Sequence, residues 1–137
     1  MRKRLACGIV LGLALTAFVG LGRRERTEAA EEGATMLAHN VFFSLKDNSA
    51  ESKKKLVDAC KKYLTRHDGE VFYAAGTRAE DLNREVNDQD FDVGLHIVFR
   101  DKTSHDKYQD AERHKQFIEE NRESWKKVRV FDSIASK

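Results

Sequence analysis

Between Leu37 and Leu45 the chain is apolar on both faces of a strand. Leu37, His39, Val41, Phe43 and Leu45 fall on one side of a two-residue period, and Ala38, Asn40, Phe42 and Ser44 on the other. Such a strand needs cover on both sides, whereas one layer of helices covers only one. A second run, Phe91 to Phe99, sets Phe91, Val93, Leu95, Ile97 and Phe99 against Asp92, Gly94, His96 and Val98. Thr103 is placed to cap the helix that follows, with Asp106 in its electropositive first turn. That helix carries Tyr108 and His114, the side chains best suited to chemistry.

The remaining elements follow in order. Asp47-Asn48-Ser49 is a turn with cap chemistry, and Leu56, Val57, Cys60, Tyr63 and Leu64 form a helical stripe ended by Asp68-Gly69. The lysines Lys53, Lys54, Lys55, Lys61 and Lys62 lie largely off that stripe and form a solvated face. Arg66 and His67 suit the last helical turn, where positive charge meets the dipole. Glu70 to Gly76 is a strand, Thr77 to Asp90 a polar hairpin excursion, and Lys127 to Ile134 a last strand after Trp125. The order β-α-β-β-α-β predicts an α+β, ferredoxin-like domain: a four-stranded antiparallel sheet with its helices on one face. The other face, with Ala38, Phe42, Phe72, His96, Val98 and Phe131, is left bare. Two such faces packing together give a homodimer, an α/β barrel with a closed core.

The N-terminus reads differently. Arg2, Lys3 and Arg4 precede an uncharged apolar run, Leu5 to Gly22, that ends in small residues, as in a secretory signal. The run also approaches the length of a spanning helix and is followed by Arg23, Arg24 and Arg26, so residues 1–22 are a signal peptide or an uncleaved anchor. Residues 23–35 are a charged linker without apolar period, and 36–137 form the domain. The expected location is therefore periplasmic or extracellular, with a membrane partner only if residues 5–22 are retained. Beyond residue 30 the chain has 19 basic and 21 acidic side chains, a formal charge of −2, so it lacks the basic excess that nucleic-acid binding needs. Cys60 is the one thiol of that part, which excludes an intramolecular disulfide there.

Four segments, AHNVFFSL, VFRD, YQDAERH and WKKVRVFD, occur in an order that resembles the stress-responsive A/B barrel (Dabb) family of the dimeric α/β barrel superfamily, over Met36 to Ala135. The resemblance implies the same dimer. Its best-understood activity is that of plant polyketide cyclases, which close a linear polyketide by an aldol-type condensation in a pocket between helices and sheet. Carried over, it implies a pocket lined by His39, Leu56, Leu95, Tyr108, His114, Phe117, Trp125, Val128 and Val130, with Tyr108 and His114 as the acid-base pair. Cys60, placed in the pocket with them, stands where that pattern has a pocket tyrosine, Val93 where it has a histidine, and Ala111 where it has the first histidine of HPxH.

Tyr108 and His114 are six residues apart, 120° out of register on a continuous helix, so both can face one pocket only if the helix bends or breaks near Asp110 to Glu112. His39 reads either as a satisfied core histidine or as a pocket group. His39, Cys60 and His114 come from separate elements at no metal-ligand spacing, so no metal is expected, and no cofactor motif is present. Asn40 and Trp125 resemble parts of the heme-degrading and quinol-oxidising monooxygenases of the superfamily, a lesser alternative. The reading is thus a dimeric binding module for a small apolar or aromatic molecule, with a cofactor-free acid-base enzyme as the alternative. Because the linker has no apolar period to dock, a chain starting at Thr35 is expected to show the same cooperative melt as one starting at Arg23. Circular dichroism thermal scans of the two check this.

Overall fold

The computed structural model describes residues 35–136; the expected signal or anchor and all of the linker but Thr35 lie outside the described residues. The elements are β1 (Met36–Leu45), α1 (Ala50–Tyr63), β2 (Glu70–Thr77), β3 (Val93–Phe99), α2 (Lys102–Asp110), α3 (Glu112–Asn121), a 3-10 turn (Arg122–Ser124) and β4 (Trp125–Ala135). The strands form one antiparallel sheet in the order β2-β3-β1-β4, the ferredoxin-like arrangement expected from the sequence. Among the described residues no helix is long and apolar enough to cross a membrane.

The alternation in β1 sets the core. Leu37, His39, Val41, Phe43 and Leu45 are all at most 6% exposed, and Val93, Leu95, Ile97 and Phe99 of β3 lie beside them. Leu56, Cys60 and Tyr63 close over these strands from α1, Leu64 from its C-cap, and Tyr108 and Phe117 from α2 and α3. Each large apolar side chain so covered contributes roughly 1.5–3 kcal/mol.

Local chemistry explains the helix ends, with two corrections. Ser49 caps α1 through its hydroxyl, which accepts from Ser52 N (3.2 Å), and Asp47 Oδ1 accepts from Ser49 N (3.0 Å). The cap of α2 is Asp101, not Thr103: its carboxylate accepts from Ser104 N at 2.7 Å, because a charged acceptor one turn back reaches the orphan N–H groups better than a hydroxyl inside the helix. Helix α1 ends at Tyr63, earlier than Asp68-Gly69 suggests, since Arg66 takes a left-handed φ of 63°. His67 Nε2 then donates to the Tyr63 carbonyl (2.9 Å), a side-chain stop for that helix.

Two strands also depart from strict alternation. A bulge between Glu70 and Phe72 leaves Val71 outside the pairing and 54% exposed. Phe91 precedes β3 and stacks edge-on against Phe42 (4.9 Å between centroids), so it joins the bare face instead of the core. The excursion from 78 to 92 is turns without helix, held to β4 by Asp90–Lys127 (2.7 Å) and by Asp88–Arg129. β4 is an edge strand that the helices do not cover fully: Val130 is 50% exposed although it pairs with buried Val41.

Gly69 has φ 81°, and a Cβ there would lie 2.4 Å from the Ser104 Cβ. Gly69→Ala thus adds an αL penalty of about 1–2 kcal/mol to a steric overlap, whereas Asp101→Ala forfeits a cap worth about 1 kcal/mol. Urea denaturation is expected to show both variants destabilised, Gly69→Ala the more.

Candidate functional site

The break that the Tyr108–His114 spacing calls for is present. Ala111 has φ −64° and ψ 137°, ending α2 and starting α3. Alanine is the best helix former, so local propensity does not cause this break. Each half instead turns its own apolar anchor, Tyr108 or Phe117, into the core, where both are 2% exposed. The turn brings the Tyr108 and His114 rings to 4.6 Å between centroids. His114 Nδ1 lies 3.0 Å from the Gln109 carbonyl, which only accepts, so Nδ1 carries the proton and Nε2 keeps its lone pair.

From the sheet, His39 meets this pair. Its ring is 5.8 Å from that of Tyr108, and its Nδ1 is 2.6 Å from Asp132 Oδ1, directly across the β1–β4 ladder. Asp132 is a carboxylate acceptor, so His39 too donates from Nδ1 and presents Nε2 as the basic atom. Burial holds the His39 imidazole below its ordinary pKa, against the pull of Asp132, and burial lowers that of His114 against its bond to the Gln109 carbonyl. Both rings are therefore neutral near pH 7, the form that accepts a proton. Burial raises the Tyr108 phenol, which stays protonated.

These groups border a cavity of about 290 Å3 between α2, α3 and the sheet, open where the helices fall short of β4. Of the side chains expected there, His39, Leu95, Tyr108 and His114 line it, as do Phe117, Trp125, Val128 and Val130. Leu56 and Cys60 do not. They are 2% and 0% exposed in the core under α1, and the Cys60 thiol is pushed up to about 12 by burial, so it is not a reactive thiolate.

Cys60 also cannot join His39 and His114 around a metal; the donors that do converge are His39, His105 and Asp132, with ligand atoms within 4.8 Å of one another. Asn40 and Trp125 occupy opposite faces of the sheet: Asn40 bonds His96 on the bare side (2.8 Å), while Trp125 packs on Phe43 and Phe117. The monooxygenase-like pairing is thus not assembled. Asp132, Gln109 and His105 are the site residues that sequence reasoning passed over. The alternation of Val128, Val130 and Asp132 carried the signal for the first, since it puts Asp132 on the face of the valines.

The bare face is as expected in composition. Phe42 contacts Phe91, His96 and Phe131 at centroid distances of 4.9–5.8 Å, and Phe72 and Phe131 are 53% and 52% exposed.

The sequence matches the model of the Stress Responsive A/B Barrel Domain over residues 37–135. No curated protein matches it. Among solved structures, a Dabb family protein with a ferredoxin-like fold from Mesorhizobium loti is similar with a TM-score of 0.61 and 22% identity, over 75% of this chain and 99% of that one. A dimeric ferredoxin-like protein of unknown function from Thermobifida fusca gives 0.62 at 12% identity, over 75% and 93%. A hydroxynitrile lyase from Passiflora edulis gives 0.61 at 17% identity, over 76% and 96%. At these identities the structures establish a shared fold. With the family match spanning most of the chain and the sheet order and helix placement in agreement, the protein belongs to the stress responsive A/B barrel domain family.

Proposed function

We propose that this protein is an exported homodimer that binds a small apolar or aromatic molecule in the cavity between α2, α3 and the sheet. The observation that carries the reading is the cavity itself: apolar walls from Leu95, Phe117, Trp125, Val128 and Val130, and convergent polar groups at His39, Tyr108, His114 and Asp132. Sites for small organic molecules are built in this way, at about this size. Phenol O–H, two imidazole Nε2 atoms and a carboxylate suit a ligand with an aromatic or alkyl body and a hydroxyl or carbonyl group. Export rests on the basic n-region and the apolar run from Leu5 to Gly22. Self-association rests on the exposed aromatic face, and similar folds described as dimeric support it.

A second reading is favoured by one specific observation. His39 and His114 are both held as neutral Nδ1–H tautomers with Nε2 unprotonated, and Tyr108 between them is a protonated donor. That is the equipment for moving a proton to and from a carbon acid or alcohol without a cofactor. The fold is shared with a hydroxynitrile lyase, so it hosts enzymes acting on small organic molecules.

Mass spectrometry of organic extracts from the purified protein is expected to show one retained small molecule per chain. Val130→Trp, at the half-exposed rim, is expected to displace it without loss of the folded state, and retention unchanged in that variant would place the ligand elsewhere. His114→Ala is expected to weaken binding modestly but to abolish turnover if the protein is an enzyme. Phe131→Glu sets a charge against apolar surface, which costs several kcal/mol when unpaired. Light scattering at micromolar concentration is expected to give a dimer for the natural chain and a monomer for this variant.

A further inference from the structure

We infer that His39, His105 and Asp132 form a binding site for a divalent transition-metal ion of the zinc type at the mouth of the cavity. Donor chemistry is the first ground. Two imidazoles and one carboxylate, supplied by β1, α2 and β4, make the three-ligand set that zinc takes when a fourth position stays open. Their ligand atoms lie within 4.8 Å of one another, and the His39 and His105 rings are 5.1 Å apart. Bonds of about 2.0–2.1 Å in a tetrahedral site set ligand atoms about 3.3 Å apart, so closure needs movements of the order of 1 Å. Asp132, on the edge strand, has room for it, since its side chain is 46% exposed, while His105 on α2 is held at 12% exposure.

The surroundings are the second ground. Metal-bound histidines donate their other ring N–H to a carboxylate or carbonyl, which fixes the tautomer. Asp106 Oδ1 lies 3.3 Å from His105 Nδ1, which leaves Nε2 as the ligand atom. That atom now meets the Gln109 amide at 3.1 Å, a half-buried side chain able to swing aside. His39 Nδ1 is already 2.6 Å from the Asp132 carboxylate, so an ion replaces the proton between them: Nδ1 becomes the ligand atom of His39, and its proton is released or moves to Nε2. His39 and Asp132 also line the cavity that Tyr108 and His114 border, and one negative charge from the half-exposed Asp132 offsets part of the ion's charge. The site stands whether or not an organic molecule occupies the cavity.

The test uses the full chain, purified without an affinity tag, stripped with a chelator and titrated with zinc chloride in a calorimeter. One saturable ion per chain is expected, with affinity falling by 100-fold or more in His105→Ala and in Asp132→Asn. Cobalt(II) is expected to give the visible absorption of a tetrahedral site in the natural chain. X-ray absorption of the zinc-loaded natural chain is independent of whether the variants fold, and two imidazoles in the first shell are expected. The absence of saturable binding, uptake left unchanged by both variants, or a first shell without imidazole overturns the inference.

Discussion

The requirement that β1 be covered on both faces governs this molecule. β1 lies inside the sheet, paired with β3 and β4 along nearly its full length, so every side chain it carries faces either the helices or the bare side. Helices α1, α2 and α3 answer the first face, and the core is assembled there from residues that are almost wholly buried. The second face has Phe42 at its centre and keeps Phe72 and Phe131 half in water. An apolar surface of that kind is rarely left open in a soluble protein.

A polar group placed on the covered face has to be satisfied there, and His39 shows how this creates a site. It sits between Leu37 and Val41 on the core side, and the partner across the ladder is Asp132. Because β4 is an edge strand that the helices cover incompletely, the pair lies where the core opens, and its satisfaction does not require filling the space beside it. The kink at Ala111 adds Tyr108 and His114 from above. The result is neutral imidazoles with their basic atoms unprotonated, in walls that are otherwise apolar. The same neutrality that suits proton transfer also suits metal ligation, since both use the imidazole lone pair.

Much of the fold was legible because its signals are local. The two-residue period of β1 and β3, the stripe from Leu56 to Leu64 and the cap at Ser49 name their elements without help. The errors fell where neighbours in space outweigh neighbours in sequence. Thr103 yields to Asp101 because an ionised acceptor outcompetes a hydroxyl. Phe91 leaves its alternation because the chain is not yet in β3 when it meets Phe42. Leu56 and Cys60 were placed in the pocket by resemblance, yet α1 seats them in the packed core, one helix away from the opening.

The sequence by itself determined the element order, the burial side of β1 and of most of β3, the need for a break between Tyr108 and His114, and the lack of a net basic charge beyond residue 30. Those properties follow from periodicity, spacing and charge, which act over a few residues. Only the tertiary structure decided which polar groups meet. Asp132 reaches His39 from 93 residues away, through the β1–β4 register, and His105 joins them because α2 crosses β1 at that point. Register and helix placement are set by the packing of the whole core, and no local pattern of residues encodes them.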